Sequence, residues 1–127
     1  IAVENHANNN IENMEDYDRI FAALDSSHVG MCLDMGHFDW ASVDNFEVIE
    51  RFHEKINHVD IKDVVAFGTY KSVPYGSGVT KGEQIVQALI DRGYSGYLVI
   101  EQAPPREGSE LEAEMKRIKN IFDQYES

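Results

Sequence analysis

Gly30-Met31-Cys32-Leu33-Asp34-Met35-Gly36-His37-Phe38-Asp39-Trp40 is the stretch whose reading decides the fold. A short apolar run, Met31 to Leu33, ends in an acid, Asp34, and passes into a small-residue turn that carries His37. An apolar strand that delivers a carboxylate to its C-terminal tip is a common site layout in α/β proteins. The same pattern fits a strand end whose acid does no more than cap the next helix. On this stretch alone the two readings stand even.

Recurrence separates them. Ala2-Val3-Glu4, Cys32-Leu33-Asp34, His58-Val59-Asp60 and Val99-Ile100-Glu101 each end a β-like run in a carboxylate, and the four acids lie 30, 26 and 41 residues apart. One βα unit takes roughly 30 residues, so the spacing predicts successive strands of a parallel sheet with one longer loop. Helical periodicity fills the intervals. Apolar residues recur at helical spacing over Asn13 to Leu24, Phe46 to Ile56, Glu83 to Ile90 and Leu111 to Tyr125. The order is therefore βαβαβαβα.

In such a sheet the C-terminal strand ends share one face, and four carboxylates there repel one another unless they take up protons or a cation. The repeat predicts one divalent metal held by Glu4, Asp34, Asp60 and Glu101. All-oxygen ligands favour Mn²⁺ or Mg²⁺ ahead of Zn²⁺ or Co²⁺.

The third strand, Ile56 to Asp63, alternates: His58, Asp60 and Lys62 share one face, and Val59 and Ile61 share the other. With the apolar pair against helices, the charged set points inward, where it must be paired or liganded. Lys62 can neutralise an acid or bind a substrate oxygen, and Asp63 can orient it. Val59-Asp60-Ile61 and Leu98-Val99-Ile100 read as strands covered on both faces. Phe38, Asp39 and Trp40 read as an aromatic loop, either a pocket wall or loop packing. Asn5 and His6 either contact a substrate or satisfy loop backbone; His28 and His53 read as surface or structural. Pro74-Tyr75-Gly76-Ser77-Gly78 is turn chemistry inside a long connection, Val64 to Thr80. Gly93 marks a helix C-cap, Pro104-Pro105 a strand stop and Ser109 a helix N-cap.

Composition narrows the function. The 127 residues make one domain at most and carry a net charge of −12 with no basic stripe, which disfavours a nucleic-acid partner. No apolar run is long enough to span a membrane, and no signal peptide precedes the first strand. A single cysteine, Cys32, on a buried strand leaves no disulfide framework and points to a reducing, cytoplasmic setting. Burial also disfavours Cys32 as a catalytic thiolate. The chain opens inside a strand, and four βα units are half of an eight-stranded barrel. The expectation is that residues 1–127 form a single, incomplete domain that needs the N-terminal half-barrel or self-association.

Val3-Glu4-Asn5-His6, GMCLDMGH at 30–37, INHVDIKD at 56–63, the Gly-x-Gly at 76–78 and ALIDRGYSGYLVIE at 88–101 together resemble the C-terminal half of the xylose isomerase-like TIM barrels, the sugar phosphate isomerase/epimerase group. The resemblance spans the whole chain, from strand five to helix eight of a (β/α)8 barrel. It implies metal ligation by Glu4, Asp34, the Asp60 position and Glu101, proton exchange by Glu4 and Glu101, and substrate contacts from His37 and His58. Asp60 stands where the family commonly has a histidine, which makes this donor set all oxygen. The implied function is metal-dependent isomerisation or epimerisation of a sugar or keto-polyol through an enediolate. Alternatives are a dehydratase of the same fold, or a non-catalytic relative or inactive fragment. Endonuclease-IV-type barrels need a histidine-rich zinc cluster and a DNA-accepting surface, and neither is evident.

Overall fold

A computed structural model describes residues 1–101 and 108–127. The Pro104-Pro105 stop lies outside them. The elements run β1 (Ala2–Glu4), α1 (Met14–Ala23), β2 (Gly30–Asp34), α2 (Met35–Trp40), α3 (Asn45–Phe52), β3 (Ile56–Ile61), β4 (Asp63–Val64), β5 (Ser72–Val73), α4 (Gly82–Asp91), β6 (Tyr97–Ile100) and α5 (Ser109–Glu126). Strands β1, β2, β3 and β6 pair in that order, all parallel, with Glu4 level with Cys32, Asp34 with Asp60, and Ile61 with Ile100. This is a partial (β/α) barrel.

Local chemistry sets the helix starts. Asn13 and Asp16 form a reciprocal capping box on α1, Asp34 caps α2 and Asp44 caps α3. The apolar parity of each strand then faces the helices. Met31, Leu33, Val59 and Ile61 pack with Tyr17, Phe38, Val48, Ile49, Phe52, Ile85, Leu89 and Ile121 in one core. That burial is the main driving force of the fold.

The opposite sheet face corrects one expectation. It is not covered by helices among the described residues: Tyr97 and Val99 are exposed there, 77% and 41%, beside the charged side chains of β3. Only the outer layer of a barrel meets helices; the other face is the barrel's concave interior.

Three further expectations change. Phe38-Asp39-Trp40 belongs to a short helix rather than a loop, because Asp34 caps it and no proline interrupts it. The third strand ends at Ile61, and the long connection folds on itself as a hairpin, Asp63 pairing Val73 and Val64 pairing Ser72. A stretch of this length must satisfy its own backbone groups. Helix α5 begins at Ser109 with Gly108 in the cap position, so Ser109 is the first helical residue and not its cap. Helix α4 ends where the sequence suggests, at Gly93, whose φ is +77°. Among the described residues no helix is long and apolar enough to cross a membrane.

Candidate metal and active centre

The four strand-tip acids converge. One oxygen from each of Glu4, Asp34, Asp60 and Glu101 lies within 4.8 Å of the others. Parallel pairing brings the four strand ends together in a stagger: Asp34 is level with Asp60, Glu4 with Cys32 two residues before Asp34, and Asp60 with Val99 two residues before Glu101. Asp34 is fully buried, Asp60 half-buried, and Glu4 and Glu101 exposed.

Asp34 caps a helix with one oxygen and presents the other to the acid row. Its Oδ1 accepts from the His37 backbone N–H at 2.8 Å, capping α2. Its Oδ2 turns into the acid row, buried and paired with Lys62 Nζ at 3.1 Å. Burial pushes the Asp34 carboxyl up, against the pull of Lys62 and of the His37 N–H. Asn5 locks this tip in place: its amide donates to the Asp34 carbonyl and accepts from the Asp34 N–H, both at 2.9 Å. Asn5 is thus a fully enclosed backbone clamp between the end of β1 and β2.

Lys62 neutralises acids. Its ammonium lies 3.1 Å from Asp34 Oδ2 and 2.7 Å from Glu101 Oε2. Burial works against its charge, but the two carboxylates outweigh burial and raise its pKa. Burial likewise works to raise the Glu101 carboxyl, and Lys62 overrides it, holding the group below the usual carboxylate range. The lysine stem reaches the row across Gly36. A Cβ there would stand 2.8 Å from Lys62 Cβ and Cγ, so only glycine admits the stem.

His37 is 3% exposed and accepts from the Ala7 N–H through Nδ1 at 3.2 Å. That bond assigns the ring proton to Nε2, which lies 3.9 Å from Asp34 Oδ2. Burial first and Lys62 second lower its pKa to about 3, so the ring is a neutral donor. His6 stacks on it at 3.8 Å, and Trp40 and Tyr70 continue the row of rings, 4.0 Å apart. Trp40 also lies under the Lys62 ammonium at 5.2 Å. The pocket-wall reading of 38–40 therefore fits Trp40 alone. Phe38 is in the core, and Asp39 accepts from Asn45 at 2.9 Å and Thr80 at 2.6 Å. Tyr70 carries no sequence signal of its own, being one of three aromatics, with Phe67 and Tyr75, in the long connection.

His58 is not grouped with His37. It sits one register step below the tips, with Nε2 3.1 Å from Asp60 Oδ1, while Cys32 Sγ lies 3.2 Å from Asp60 Oδ2. Asp63 does not orient Lys62. It is buried and accepts four backbone N–H groups, from Val64, Gly76, Gly78 and Thr80, at 2.8–3.0 Å. The Gly-x-Gly amides thus point at a carboxylate of the chain itself. His28 is exposed, and His53 lies at the C-terminal end of α3, remote from the tips.

Comparison with known proteins places this geometry. Inosose dehydratase of Clostridium perfringens is 25% identical over 138 residues, covering 95% of this chain and 46% of that protein. The chain spans about half the length of the curated relatives it matches. Among solved structures, a D-tagatose 3-epimerase-like protein superposes with a TM-score of 0.79 at 21% identity, covering 99% of this chain and 48% of that one. The IolI protein, solved with a bound zinc atom, superposes with a TM-score of 0.77 at 21% identity, covering 98% and 49%. The family model described as xylose isomerase-like TIM barrel matches residues 1–121, and this chain belongs to that family.

Proposed function

We propose that this chain supplies the metal centre of an enzyme that transfers a proton next to a carbonyl of a sugar or keto-polyol, as an isomerase or epimerase working through an enediolate. The observation that carries this reading is the convergence of Glu4, Asp34, Asp60 and Glu101 oxygens within 4.8 Å at four adjacent strand tips. The donor set fits a hard divalent cation: all four groups are carboxylates, and together they outnumber the single ammonium, Lys62, that lies beside Asp34 and Glu101. When bound, Mg²⁺ or Mn²⁺ supplies Lewis-acid polarisation of the carbonyl and offsets the charge of the enediolate.

The protein groups divide the remaining work. Glu4 and Glu101 stand on the outer strands β1 and β6 and flank the two aspartates. One carboxylate takes the proton from the substrate carbon and the other returns one, with roles exchanged in the reverse direction. His37 presents a neutral Nε2–H to a substrate oxygen. Trp40 and Tyr70 form a wall against which an apolar sugar face packs. Residues 1–127 serve as the C-terminal half of the barrel, strands five to eight. The edges of β1 and β6, unpaired among the described residues, and exposed Tyr97 and Val99 support a requirement for an N-terminal half-barrel or a second copy.

One observation favours a second reading, dehydration. Lys62 holds a protonated amine 2.7 Å from Glu101, where it can deliver a proton to a departing hydroxyl after Glu4 removes the carbon-bound proton. The Clostridium perfringens relative is a dehydratase by name. Incubation of the intact protein with Mn²⁺ and polyhydroxy ketones in D₂O decides among the outcomes. Deuterium on carbon with the hydroxyl retained supports the isomerase or epimerase; loss of water supports the dehydratase. No reaction with ketoses or inososes refutes both and leaves a non-catalytic relative. Glu101→Gln and Glu4→Gln should each lower the rate by about 10²–10⁴-fold. Near-full rate in both would refute the assignment of the two glutamates.

A further inference from the structure

The tip chemistry leaves one cluster of ligating groups unused. Cys32 on β2 and His58 on β3 are register partners, one step below the Asp34–Asp60 pair, and both share the concave face. Cys32 is buried and His58 half-buried. Cys32 Sγ, a His58 ring nitrogen and an Asp60 oxygen lie within 4.8 Å of one another. Asp60 is common to this cluster and to the acid row, and its two oxygens face the two neighbours separately, at 3.1 Å to His58 Nε2 and 3.2 Å to Cys32 Sγ.

We propose that Cys32, His58 and Asp60 form a second cation site for a borderline-soft ion such as Zn²⁺ or Co²⁺, stacked beneath the hard all-oxygen site and joined to it through Asp60. Donor chemistry separates the two. Thiolate and imidazole select zinc-like ions, whereas the carboxylate row suits Mg²⁺ or Mn²⁺. The spacing also fits. Tetrahedral zinc with Zn–N and Zn–O of ~2.0–2.1 Å and Zn–S of ~2.3 Å sets its ligand atoms roughly 3.3–3.6 Å apart. The contacts at Asp60 are 3.1 and 3.2 Å but go to its two oxygens separately, so Asp60 must turn to set one oxygen between the thiol and the ring, leaving the other for the acid row. Three protein ligands leave the fourth position open, as in zinc sites that bind water or substrate. Burial, with the Asp60 hydrogen bond, pushes the Cys32 thiol up, so the ion must displace that proton to solvent. The pairing owes nothing to the tip site, because cross-strand register alone brings Cys32 and His58 together.

Cobalt titration of the intact protein tests this. Thiolate–cobalt bonding gives near-ultraviolet charge-transfer absorption that oxygen and nitrogen ligands do not. Wild type should bind two Co²⁺, with the band rising on one of them. The band should vanish in Cys32→Ser and weaken at least tenfold in apparent affinity in His58→Ala. It should persist in Asp34→Asn, which removes the tip site, so loss of Mn²⁺ binding there and loss of the band in Cys32→Ser fail independently. Cobalt bound to wild type without the band, or a band unchanged in Cys32→Ser, overturns the proposal. As a check that needs no variant, Zn²⁺ should slow alkylation of Cys32 at least tenfold while Mg²⁺ leaves it unchanged; equal rates with the two ions overturn it as well.

Discussion

Replacing Asp63 by asparagine removes one oxygen and almost nothing else. In the native chain Oδ1 accepts from the Val64 and Thr80 N–H groups and Oδ2 from those of Gly76 and Gly78. Whichever way the new amide turns, its NH₂ faces two N–H donors, and two backbone bonds are lost along with the charge that strengthened all four. A hydrogen bond to a charged group is worth ≈1.5–3 kcal/mol, giving about 3–6 kcal/mol for two. The Gly76 and Gly78 amides lie near solvent, where water can take over part of that loss. The lower figure, about 3 kcal/mol, is therefore expected. At the roughly 2–4 °C per kcal/mol typical of larger domains, this lowers Tm by roughly 6–12 °C. Thr80 should release Asp39 in the same step, since its hydroxyl donates to Asp39 Oδ2 and its backbone is held by Asp63. Thermal and urea unfolding of the intact protein measure the loss. Gly78→Ala is an independent route to the same damage, because a Cβ there would press on the Val64 carbonyl and the Asp63 carboxylate. If Asp63→Asn unfolds within 2 °C of wild type, the carboxylate does not organise this loop.

Two further perturbations read the charge balance of the site. Lys62→Met removes the cation between Asp34 and Glu101, and unit charges about 4 Å apart near a protein surface interact by ≈4 kcal/mol. Even a third of that strengthens Mn²⁺ binding about tenfold; unchanged or weaker affinity by calorimetry would show that Lys62 does not compete for the acids. Burial, partly offset by Thr80 and Asn45, raises the Asp39 pKa to about 6. The native state then holds the extra proton between pH ~4 and about 6, so this contribution to stability is present below that window and lost as pH rises through it. Asp39→Asn should remove the loss, gaining about 1–3 kcal/mol on wild type between pH 4.5 and 7.5 by urea unfolding. Parallel profiles for the two proteins would refute it.

Much of the scaffold follows from short-range pattern. The strand-then-helix order, the apolar face of each helix and the inward parity of His58, Asp60 and Lys62 depend on periods of two and 3.6 residues, which a linear sequence displays directly. The recurrence of an acid at each strand end was legible for the same reason: parallel register turns equal positions in successive strands into neighbours. The site's internal division of labour was not. Nothing near Lys62 in sequence says that its ammonium lies between Asp34 and Glu101, 28 and 39 residues away. Nothing near Asp63 says that its oxygens gather amides from the next turn instead of steering Lys62. At Asp34 the cap reading does not exclude the site reading, because a carboxylate has two oxygens and the fold aims one along α2 and the other into the acid row. Likewise Cys32 read as an inert buried thiol until strand register set it opposite His58. Periodicity fixes which face a side chain occupies. Which atom it meets there depends on register and on distances of a few tenths of an ångström, and only the assembled sheet sets those.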